Sequence, residues 1–500
     1  MKRIYILLPL MLCLFFSGFA QPNIVFNGNS LSSYYNQNVT FNQTLHVCGV
    51  SNHYLFLSYE RLRDPEETTI YGTNAYYQDS IRCVNGIIEA YAPYVQTDTI
   101  RCGSTITNLT AKVNGDRSVI INSSFRLDNN RRPYTIPNMG DARLILCATN
   151  LEYYCPEWQG THGASSDAEF QTQNAKILNA LTNINADIFA LIEVQEGKNA
   201  LIQLVDGLNA RTAPNRYAYI NDGNAQTSTY VKIGFVYRTD KVTPVLPLGR
   251  PYSSNSAFYR REYVQAFTEN STGQRFVVSL NHFKAKDGTG SSSTNAARMD
   301  NVEHLIDFLT QKINANYYQD PDFLILGDLN SSTMEEPIRY ISDHGFENQL
   351  MRFSPTEYSY VYDYKVEYLD HVFATPSMAS QITNAAPYHL NADESTHYYY
   401  PSGDVSMYRY SDHDPIIVGV KLTQNVGIPE QTDNVYHPQI YSQDGQIIIH
   451  NEQATTVSIY DVAGRVISQV RAQDCAVPVA AGIYIIKTGD FVQKIWVGKY

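Results

Sequence analysis

The hydrophobic positions of the chain change their spacing at two points, and these changes divide it into three regions. Between Ile24 and about Arg132 the apolar residues form short β-like runs, such as residues 53–57 and 118–121, which clusters of Asn, Gly and Ser interrupt. No long stretch of this region repeats its apolar residues at helical spacing. The pattern predicts an all-β module over residues 24–132, either a sandwich or a barrel.

Residues 141–422 alternate between strand-like and helix-like patterns. The apolar runs at 143–148 and 188–194 are each followed by a segment with helical spacing, the first of which carries Ile177, Leu181 and Ile184. A long amphipathic segment, 298–313, leads into another apolar run at 323–326. Strands that alternate with helices predict one large α/β domain, which a linker at 131–140 separates from the first module.

The two ends of the chain have patterns of their own. Lys2 and Arg3 precede an apolar run at 4–16, and the small residues Gly18 and Ala20 stand just before a cut after Ala20. This layout indicates a secretory signal peptide, residues 1–20, with a membrane anchor as the alternative interpretation. Beyond a connector at 423–433, alternating apolar residues around a Gly turn predict a small β-sandwich over residues 435–500. No other segment reaches membrane-spanning length, so we expect a soluble, exported protein.

The composition limits the classes of function. The 500 residues are too many for one core, and 43% hydrophobic with 17% charged residues is typical of folded proteins. The formal net charge of −12 argues against binding nucleic acid by charge along the whole surface. A local basic groove or metal-bridged phosphate contacts are compatible with it.

The cysteines that remain after signal removal meet an environment that permits disulfides. Cys83–Cys102 and Cys147–Cys155 are candidate pairs, although the sequence leaves the connectivity open. The chain contains no CxxC motif and no Cys/His cluster, so we expect no structural zinc.

Polar side chains flank the apolar runs of the α/β domain. Each one alone is most often a turn or capping residue. In an α/β sheet, however, such strand ends meet at one edge, where ligands bind. Carboxylate and amide oxygens favour Mg²⁺, Mn²⁺ or Ca²⁺ over zinc, and histidines beside carboxylates can act as general acid or base. The set suits metal-dependent hydrolysis of phosphate esters and comprises Asn150, Glu193, His282, Asp328, Asn330, Asp370, Asp412 and His413.

In their order these residues resemble the endonuclease/exonuclease/phosphatase superfamily, which contains pancreatic-type deoxyribonuclease, apurinic endonucleases and neutral sphingomyelinases. The resemblance covers about residues 142–422 and includes Gly327-Asp328-Leu329-Asn330, Leu369-Asp370-His371 and Ser411-Asp412-His413-Asp414-Pro415. It implies an α/β fold of four layers, a deoxyribonuclease-like sandwich of two sheets between helices.

The resemblance also implies metal-assisted, in-line attack of water on phosphorus. Asn150 and Glu193 would hold the metal, with Asp412 nearby. Mg²⁺ is the expected ion, Mn²⁺ is an alternative, and Ca²⁺ is a candidate stimulatory or structural ion.

The acid–base roles follow from the same resemblance. His413, oriented by Asp370, would be the general base, and His282 would be the acid that stabilises the leaving oxygen. Asp328 and Asn330 would bind or polarise the phosphate and the attacking water.

Within the superfamily, residues 327–338 are similar to the G-D-L-N-x-x-x-x-E-x-P-I pattern of secreted bacterial nucleases. Tyr364 and Glu367 stand where the family often has Gly, and we expect them to reshape the substrate rim while leaving the metal site intact. The similarity also implies substrate-binding positions, which are Arg260 or Arg261, Asn295 and Arg298. For the arginine at 260 or 261, a surface salt bridge is the open alternative to phosphate binding.

The flanking modules resemble known types as well. Residues 435–500 are similar to the C-terminal sorting domain of Bacteroidetes type IX secretion substrates, which implies export by the type IX secretion machinery; a carbohydrate-binding or adhesive module is the alternative. The first module resembles the OB-like domains of some extracellular nucleases. In that case Tyr76, Tyr77 or Tyr94 would stack bases, and core or surface roles for them stay open.

The leading hypothesis is a secreted or outer-membrane-surface nuclease, metal-dependent and monomeric, that cuts DNA, with RNA as a second candidate substrate. One alternative is a phosphodiesterase or phosphatase that acts on a lipid or inositol phosphate ester. The other is a surface adhesin with an inactive nuclease fold, which the complete polar set argues against.

Overall fold

The computed structural model describes residues 21–67, 86–130, 132–157, 163–222, 230–251, 262–286, 292–423, 438–443, 445–489 and 491–498. Over these ranges the chain forms an N-terminal β module (21–130), a central α/β domain (132–423) and a C-terminal β module (438–498). The predicted signal peptide and five residues singled out above lie outside the described ranges: Tyr76, Tyr77, Cys83, Arg260 and Arg261.

The N-terminal β module is a nine-stranded sheet over the residues described, in the order β1-β2-β7-β8-β5-β4-β3-β6-β9. Successive residues of a strand point to opposite faces, so Val39 and Phe41 of β2 are buried together in a core of the module's own. The all-β prediction is confirmed, and the OB-like subtype stays a prediction. The strands and short helical turns are β1 (Asn23–Ile24), β2 (Asn38–Phe41), β3 (Leu45–Ser51), β4 (Tyr54–Ser58), β5 (Ile88–Tyr91), β6 (Thr105–Thr107), β7 (Thr110–Val113), β8 (Ser118–Ile121) and β9 (Arg126–Asp128), with turns at Ser32–Tyr34, Pro65–Glu67 and Thr97–Thr99.

The central domain alternates strands and helices as predicted. Capping residues set the limits of its first helix, α1. The Ser166 side chain accepts a hydrogen bond from the backbone N–H of Glu169 at the start, and Asn185 ends the helix in the left-handed conformation. The elements are β10 (Leu144–Tyr154), α1 (Asp167–Ile184), β11 (Ile188–Gln195), α2 (Asn199–Arg211), β12 (Tyr217–Tyr219), β13 (Val231–Arg238), β14 (Val242–Gly249), β15 (Tyr263–Glu269), β16 (Arg275–His282), α3 (Ser292–Asn314), β17 (Phe323–Asp328), α4 (Glu336–Asp343), β18 (Glu347–Asn348), α5 (Gln349–Phe353), β19 (Tyr360–Tyr362), β20 (Lys365–Glu367), β21 (Asp370–Ala374), α6 (Pro376–Ala379), β22 (Ile382–Pro387) and β23 (Ile416–Val420), with helical turns at Thr396–Tyr398 and Tyr400–Ser402.

Two six-stranded sheets of this domain pack face to face over the described residues, in the orders β12-β13-β11-β10-β23-β22 and β14-β15-β16-β17-β21-β18. Phe235 of the first sheet meets Phe267 of the second in the apolar layer between them. Helices α1 and α2 cover the outside of the first sheet, and α3 and α4 cover the outside of the second. The predicted four-layer α/β sandwich is therefore confirmed.

The C-terminal β module is a five-stranded sheet over its described residues, ordered β24-β25-β27-β28 with β26 paired to β25. Its apolar side chains form a core of their own. The sandwich arrangement and the sorting role stay predictions. Among the described residues, no helix is both long and apolar enough to cross a membrane. The strands are β24 (Gln439–Gln443), β25 (Gln446–Asp461), β26 (Val466–Pro478), β27 (Gly482–Thr488) and β28 (Phe491–Val497).

The predicted Cys147–Cys155 disulfide is wrong. Both thiols are free and buried. Cys147 lies opposite Phe189 of β11, whereas Tyr154, the residue before Cys155, lies opposite Val194. Five residues of β11 therefore separate the two positions, on the order of 15 Å. A disulfide requires Cα atoms within about 7 Å. Cys102 is also a free thiol, and its proposed partner lies outside the described residues.

Candidate active site

Strand pairing brings three of the predicted residues side by side. In the second sheet β16 and β17 run parallel with His282 opposite Asp328, and β17 and β21 run antiparallel with Asp328 opposite Asp370. The three polar residues therefore occupy one end of three adjacent strands. The prediction that polar residues at strand ends meet at one edge is therefore confirmed for His282, Asp328 and Asp370.

The first sheet supplies the remaining residues. Asn150 of β10 pairs with Ile192 of β11, directly before Glu193, and His413 lies just ahead of β23, the other neighbour of β10. The ends of the two sheets enclose a cleft of about 500 Å³. Its lining is Asn150, Glu152, Tyr153, Gly163, Glu193, His282, Ala285, Lys286, Asp328, Asn330, Tyr360, Tyr362, Glu367, Leu369, Tyr399, Asp412 and His413.

The backbone at these strand ends adopts conformations that few residues tolerate. Gly327 has φ +130°, and a Cβ there would lie 2.1 Å from the carbonyl oxygen of Asn281, so only glycine fits. Glu193 and Asn330 have φ +60° and +48°, which is uncommon for residues with side chains. Such strained positions cluster at functional sites, where the surrounding structure holds them in place.

His413 and Asp370 form a buried hydrogen-bonded pair. The Nδ1 atom of His413 lies 2.8 Å from Oδ2 of Asp370, while its Nε2 lies 4.0 Å from Oδ2 of Asp328. Burial alone lowers the pKa of His413, but the charges of Asp370, Asp328 and Asp412 outweigh it and raise that pKa well above the usual value. Asp370 thus fixes the ring and leaves Nε2 facing the cleft, which is the arrangement of an oriented acid–base histidine.

His282 lies between two carboxylates on the other side of the cleft. Its Nε2 is 3.6 Å from Oε1 of Glu193 and 3.6 Å from Oδ2 of Asp328. The side-chain amide of Asn150 donates to the same Asp328 oxygen at 3.3 Å. Asp328 therefore links both histidines and the amide predicted to bind metal.

The carboxylates of the cleft fit a divalent cation. Glu152, Glu193, Asp328 and Asp412 all line it. Burial, together with the charges of Asp412 and Glu193, raises the pKa of Glu152 to about 8. The Oε2 atom of Glu152 has no hydrogen-bond partner within the described part of the chain. Hard oxygen ligands with concentrated negative charge suit Mg²⁺ or Ca²⁺.

Glu152 is a site residue that the sequence prediction missed. It follows Asn150 by two positions at the end of β10, and its backbone N–H donates to the Asn150 Oδ1 atom at 2.8 Å. The spacing to Asn150 is the signal that identifies it. Asp328, Asp370 and His413 form a second possible ligand group, with one atom of each within 4.8 Å of the others.

The predicted substrate-binding residues lie away from this lining. The Asn295 amide donates to Glu336 at 3.2 Å, and the Arg298 guanidinium contacts Glu335 at 3.4 Å. Arg260 and Arg261 are outside the described residues. Among the described residues that line the cleft, Lys286 is a cation that no motif singled out.

The N-terminal β module reaches the wall of the cleft at Lys286. The Nζ atom of this lysine lies 2.8 Å from Glu335, 3.1 Å from Glu367 and 3.4 Å from Glu66 of the module. These carboxylates outweigh burial and raise the pKa of Lys286 well above its usual value, so the lysine stays charged. Glu367, one of the departures from the family pattern, therefore lies in the cleft wall, and its predicted effect on the substrate rim stays a prediction.

One family model matches a region that lies within the central domain. The model of the Endonuclease/Exonuclease/phosphatase family matches residues 154–413, just over half of the chain. The chain is similar to a crystal structure of an endonuclease/exonuclease/phosphatase from Bacteroides vulgatus, with 15% identity over 56% of this chain and 99% of that one and a TM-score of 0.41. The human nocturnin catalytic domain with bound sulfate is 14% identical over 56% of this chain and 94% of that one, with a TM-score of 0.40.

A mannosyl-6-phosphatase from Bacteroides thetaiotaomicron is 14% identical over 56% of this chain and all (100%) of that one, with a TM-score of 0.38. No curated protein matches the chain. Members of the matched family hydrolyse phosphoester bonds and generally use a divalent metal, for which the cleft offers ligands. By the extent of the family match and the site that lies within its fold, the chain belongs to the endonuclease/exonuclease/phosphatase family.

Proposed function

We propose that the protein is a secreted, Mg²⁺-dependent nuclease that hydrolyses phosphodiester bonds of extracellular DNA, with RNA as a second substrate. The observation that carries this proposal is the meeting, in one cleft, of the His413–Asp370 pair, His282 and a set of buried carboxylates. The signal-peptide pattern and the type IX-like tail support an extracellular site of action.

The residues divide the chemical work between them. Asn150, Glu193 and Asp412 would hold Mg²⁺, whose charge would polarise the scissile phosphate and offset the carboxylates that raise the pKa of His413. Nε2 of His413 accepts the proton of the attacking water, because Nδ1 is engaged with Asp370.

The leaving side is served by His282. Its Nε2 lies 3.6 Å from Oδ2 of Asp328 and 3.6 Å from Oε1 of Glu193, at the wall of the cleft opposite His413, and in its protonated form it would donate to the leaving oxygen. Asp328 and Asn330 orient the phosphate and the water. Asn330 is itself fixed, since its backbone N–H donates to Asp328 at 2.9 Å and its amide donates to the Phe283 carbonyl at 3.1 Å.

Two features favour nucleic acid among phosphate esters. Residues 327–338 carry the pattern of secreted bacterial nucleases. The cleft is lined by four tyrosines, Tyr153, Tyr360, Tyr362 and Tyr399. Aromatic side chains are the groups on which bases stack.

A substrate panel tests the proposal. The mature protein is incubated with plasmid DNA, RNA, sphingomyelin and an inositol phosphate, each in Mg²⁺, Mg²⁺ with Ca²⁺, Mn²⁺ or EDTA. We expect DNA cleavage in Mg²⁺ and none in EDTA. DNA that stays intact in every metal contradicts the nuclease, and cleavage of the lipid or inositol ester alone supports the other hydrolase. A folded protein that cleaves nothing supports the adhesin.

A further inference from the structure

A tyrosine-bearing hairpin stands at the mouth of the cleft. Strands β19 and β20 pair across the two-residue turn Asp363-Tyr364. Because side chains two apart on a strand share a face, Tyr360 and Tyr362 lie in a row, with rings 8° from parallel and centroids 6.4 Å apart. Both line the cleft.

The row begins at the acid–base pair. The Tyr360 ring lies against the His413 imidazole, with centroids 4.6 Å apart. Tyr362 stands one ring further out and is 54% exposed, which gives it a free face at the entrance. A large, exposed aromatic ring in line with a catalytic histidine is positioned to contact a part of the substrate next to the scissile bond.

The N-terminal β module holds this hairpin in place. The Tyr364 ring stacks on Phe56, with centroids 4.2 Å apart, although both turn residues have positive φ, +47° and +68°. Lys365 pairs with Asp64 at 3.0 Å, and the backbone of Val366 bonds to Leu62 and Asp64 at 2.9 Å each. A rigid aromatic platform loses little conformational entropy when a ligand stacks on it.

We propose that Tyr362 is a base-stacking subsite for the nucleotide next to the scissile phosphate. This inference rests on the proposed nuclease function and deepens it. Aromatic rings accept the face of any base, so the subsite gives affinity without sequence choice. A base within a duplex is already stacked on its neighbours, so the subsite favours single strands and frayed ends.

Two matched single-stranded oligonucleotides test the subsite. One carries every base, and the other has abasic sugars flanking its only cleavable phosphodiester. From the usual strength of base–aromatic stacking we expect the wild-type KM to be about tenfold lower for the intact strand. Tyr362→Ala should remove this difference with kcat changed less than KM, and Tyr362→Phe should keep it because the ring remains.

Tyr35→Ala is the matched control, since Tyr35 is a similarly exposed tyrosine (58%) on the N-terminal β module. It should retain the wild-type difference. If Tyr362→Ala still prefers the intact strand tenfold, the stacking inference is wrong while the nuclease proposal stands. If the wild type cuts plasmid DNA in Mg²⁺ but neither strand, the stacking inference alone is wrong; if it cuts neither the plasmid nor the strands, both are wrong.

Discussion

The two β modules that flank the central domain relate to it in different ways. The N-terminal β module reaches the active-site loops with buried charges: Arg61 meets Asp393 at 3.0 Å, and Arg101 meets Glu394 at 2.6 Å. The C-terminal β module contacts the central domain at an exposed hydrogen bond, Ser442 to Asn314 at 3.4 Å, and near Gly345. These contacts lie by the ends of α3 and α4, whereas the active-site residues lie at the far end of β17.

Glu67 of the N-terminal β module contacts two segments that carry active-site residues. One of its oxygens accepts from the backbone N–H groups of Thr333 and Tyr368, at 3.1 and 2.9 Å, and the other accepts from the Thr333 hydroxyl at 2.7 Å. It thereby ties together the loop that follows Asp328 and the segment that precedes Asp370. The N-terminal β module is part of the catalytic unit, and the C-terminal β module is an appendage to it.

Removal of residues 24–130 should have the largest effect. It removes Arg61, Arg101 and Asp64, the ion-pair partners of Asp393, Glu394 and Lys365, and exposes the surface of the central domain that the module covers. Asp393 then keeps the Tyr358 hydroxyl and Glu394 keeps Arg132, but the segments around them lose part of what holds them in place. We expect a chain that unfolds at much lower temperature and has lost at least about a hundredfold in kcat/KM on DNA. Thermal unfolding and cleavage rates measure both; a stable truncated chain with wild-type kcat/KM would contradict the comparison.

Glu67→Ala should have the next largest effect. It leaves the backbone N–H groups of Thr333 and Tyr368 without their acceptor and so loosens the two segments that carry them. We expect a loss of about 2 to 4 kcal/mol of stability and about a tenfold fall in kcat. Glu67→Gln keeps the acceptor for both amides and is the matched control, expected within about threefold of wild type. Equal kcat values for the two variants would show that the hydrogen bonds of Glu67 to Thr333 and Tyr368 do not support catalysis.

The buried carboxyl group of Glu67 should also make the stability of the protein depend on pH. Burial raises the pKa of Glu67 from 4.5 to about 7, although hydrogen bonds from Thr333 and Tyr368 act in the opposite direction. The folded state therefore holds a proton that the unfolded state has released, so this stabilising contribution is full below pH 4.5 and is lost as pH rises to about 7. The loss is on the order of 3 kcal/mol.

Thermal unfolding of wild type and Glu67→Gln between pH 4.5 and 8 checks this contribution. The wild-type melting temperature should fall relative to the variant as pH rises. If the melting temperatures of the two proteins changed with pH in the same way, Glu67 would not be the group that releases the proton.

Truncation after Thr423 should have the smallest effect. The C-terminal β module has its own core and lies away from the cleft. We expect kcat/KM on DNA within about twofold of the full chain, since distant sites with no shared partners act independently. A tenfold loss would mean that this module also supports the active site.

The predictable parts of the molecule are those with local or ordered patterns. Alternating strand-like and helix-like runs identified the α/β domain, and the family resemblance implied its four layers. The polar strand ends identified His282, Asp328, Asp370 and His413, because strand ends meet at a sheet edge. The Asp393-Glu394 pair illustrates what was missed: it anchors Arg61 and Arg101, more than 290 positions earlier in the chain. Such pairing depends on how the two domains dock, for which one sequence holds no periodic signal.

Substrate contacts were the weakest part for a related reason. Arg298 fits a nuclease pattern, yet its guanidinium is buried against Glu335 behind the cleft. Tyr364 was expected to alter the rim, which stays a prediction; in the structure its ring stacks on Phe56 of the N-terminal β module. In both cases the residue type was informative, while its partner was set by tertiary packing.

The central claim is that the cleft around His413 and Asp370 performs metal-dependent phosphodiester hydrolysis. Its most direct test is the rate of plasmid cleavage by wild type and His413→Ala, each in Mg²⁺ and after EDTA, with folding checked by circular dichroism. We predict that EDTA abolishes wild-type cleavage, that Mg²⁺ restores it, and that His413→Ala is slower by about 10²- to 10⁴-fold while remaining folded. Cleavage that resists EDTA, or a folded His413→Ala with more than a tenth of the wild-type rate, would contradict the account.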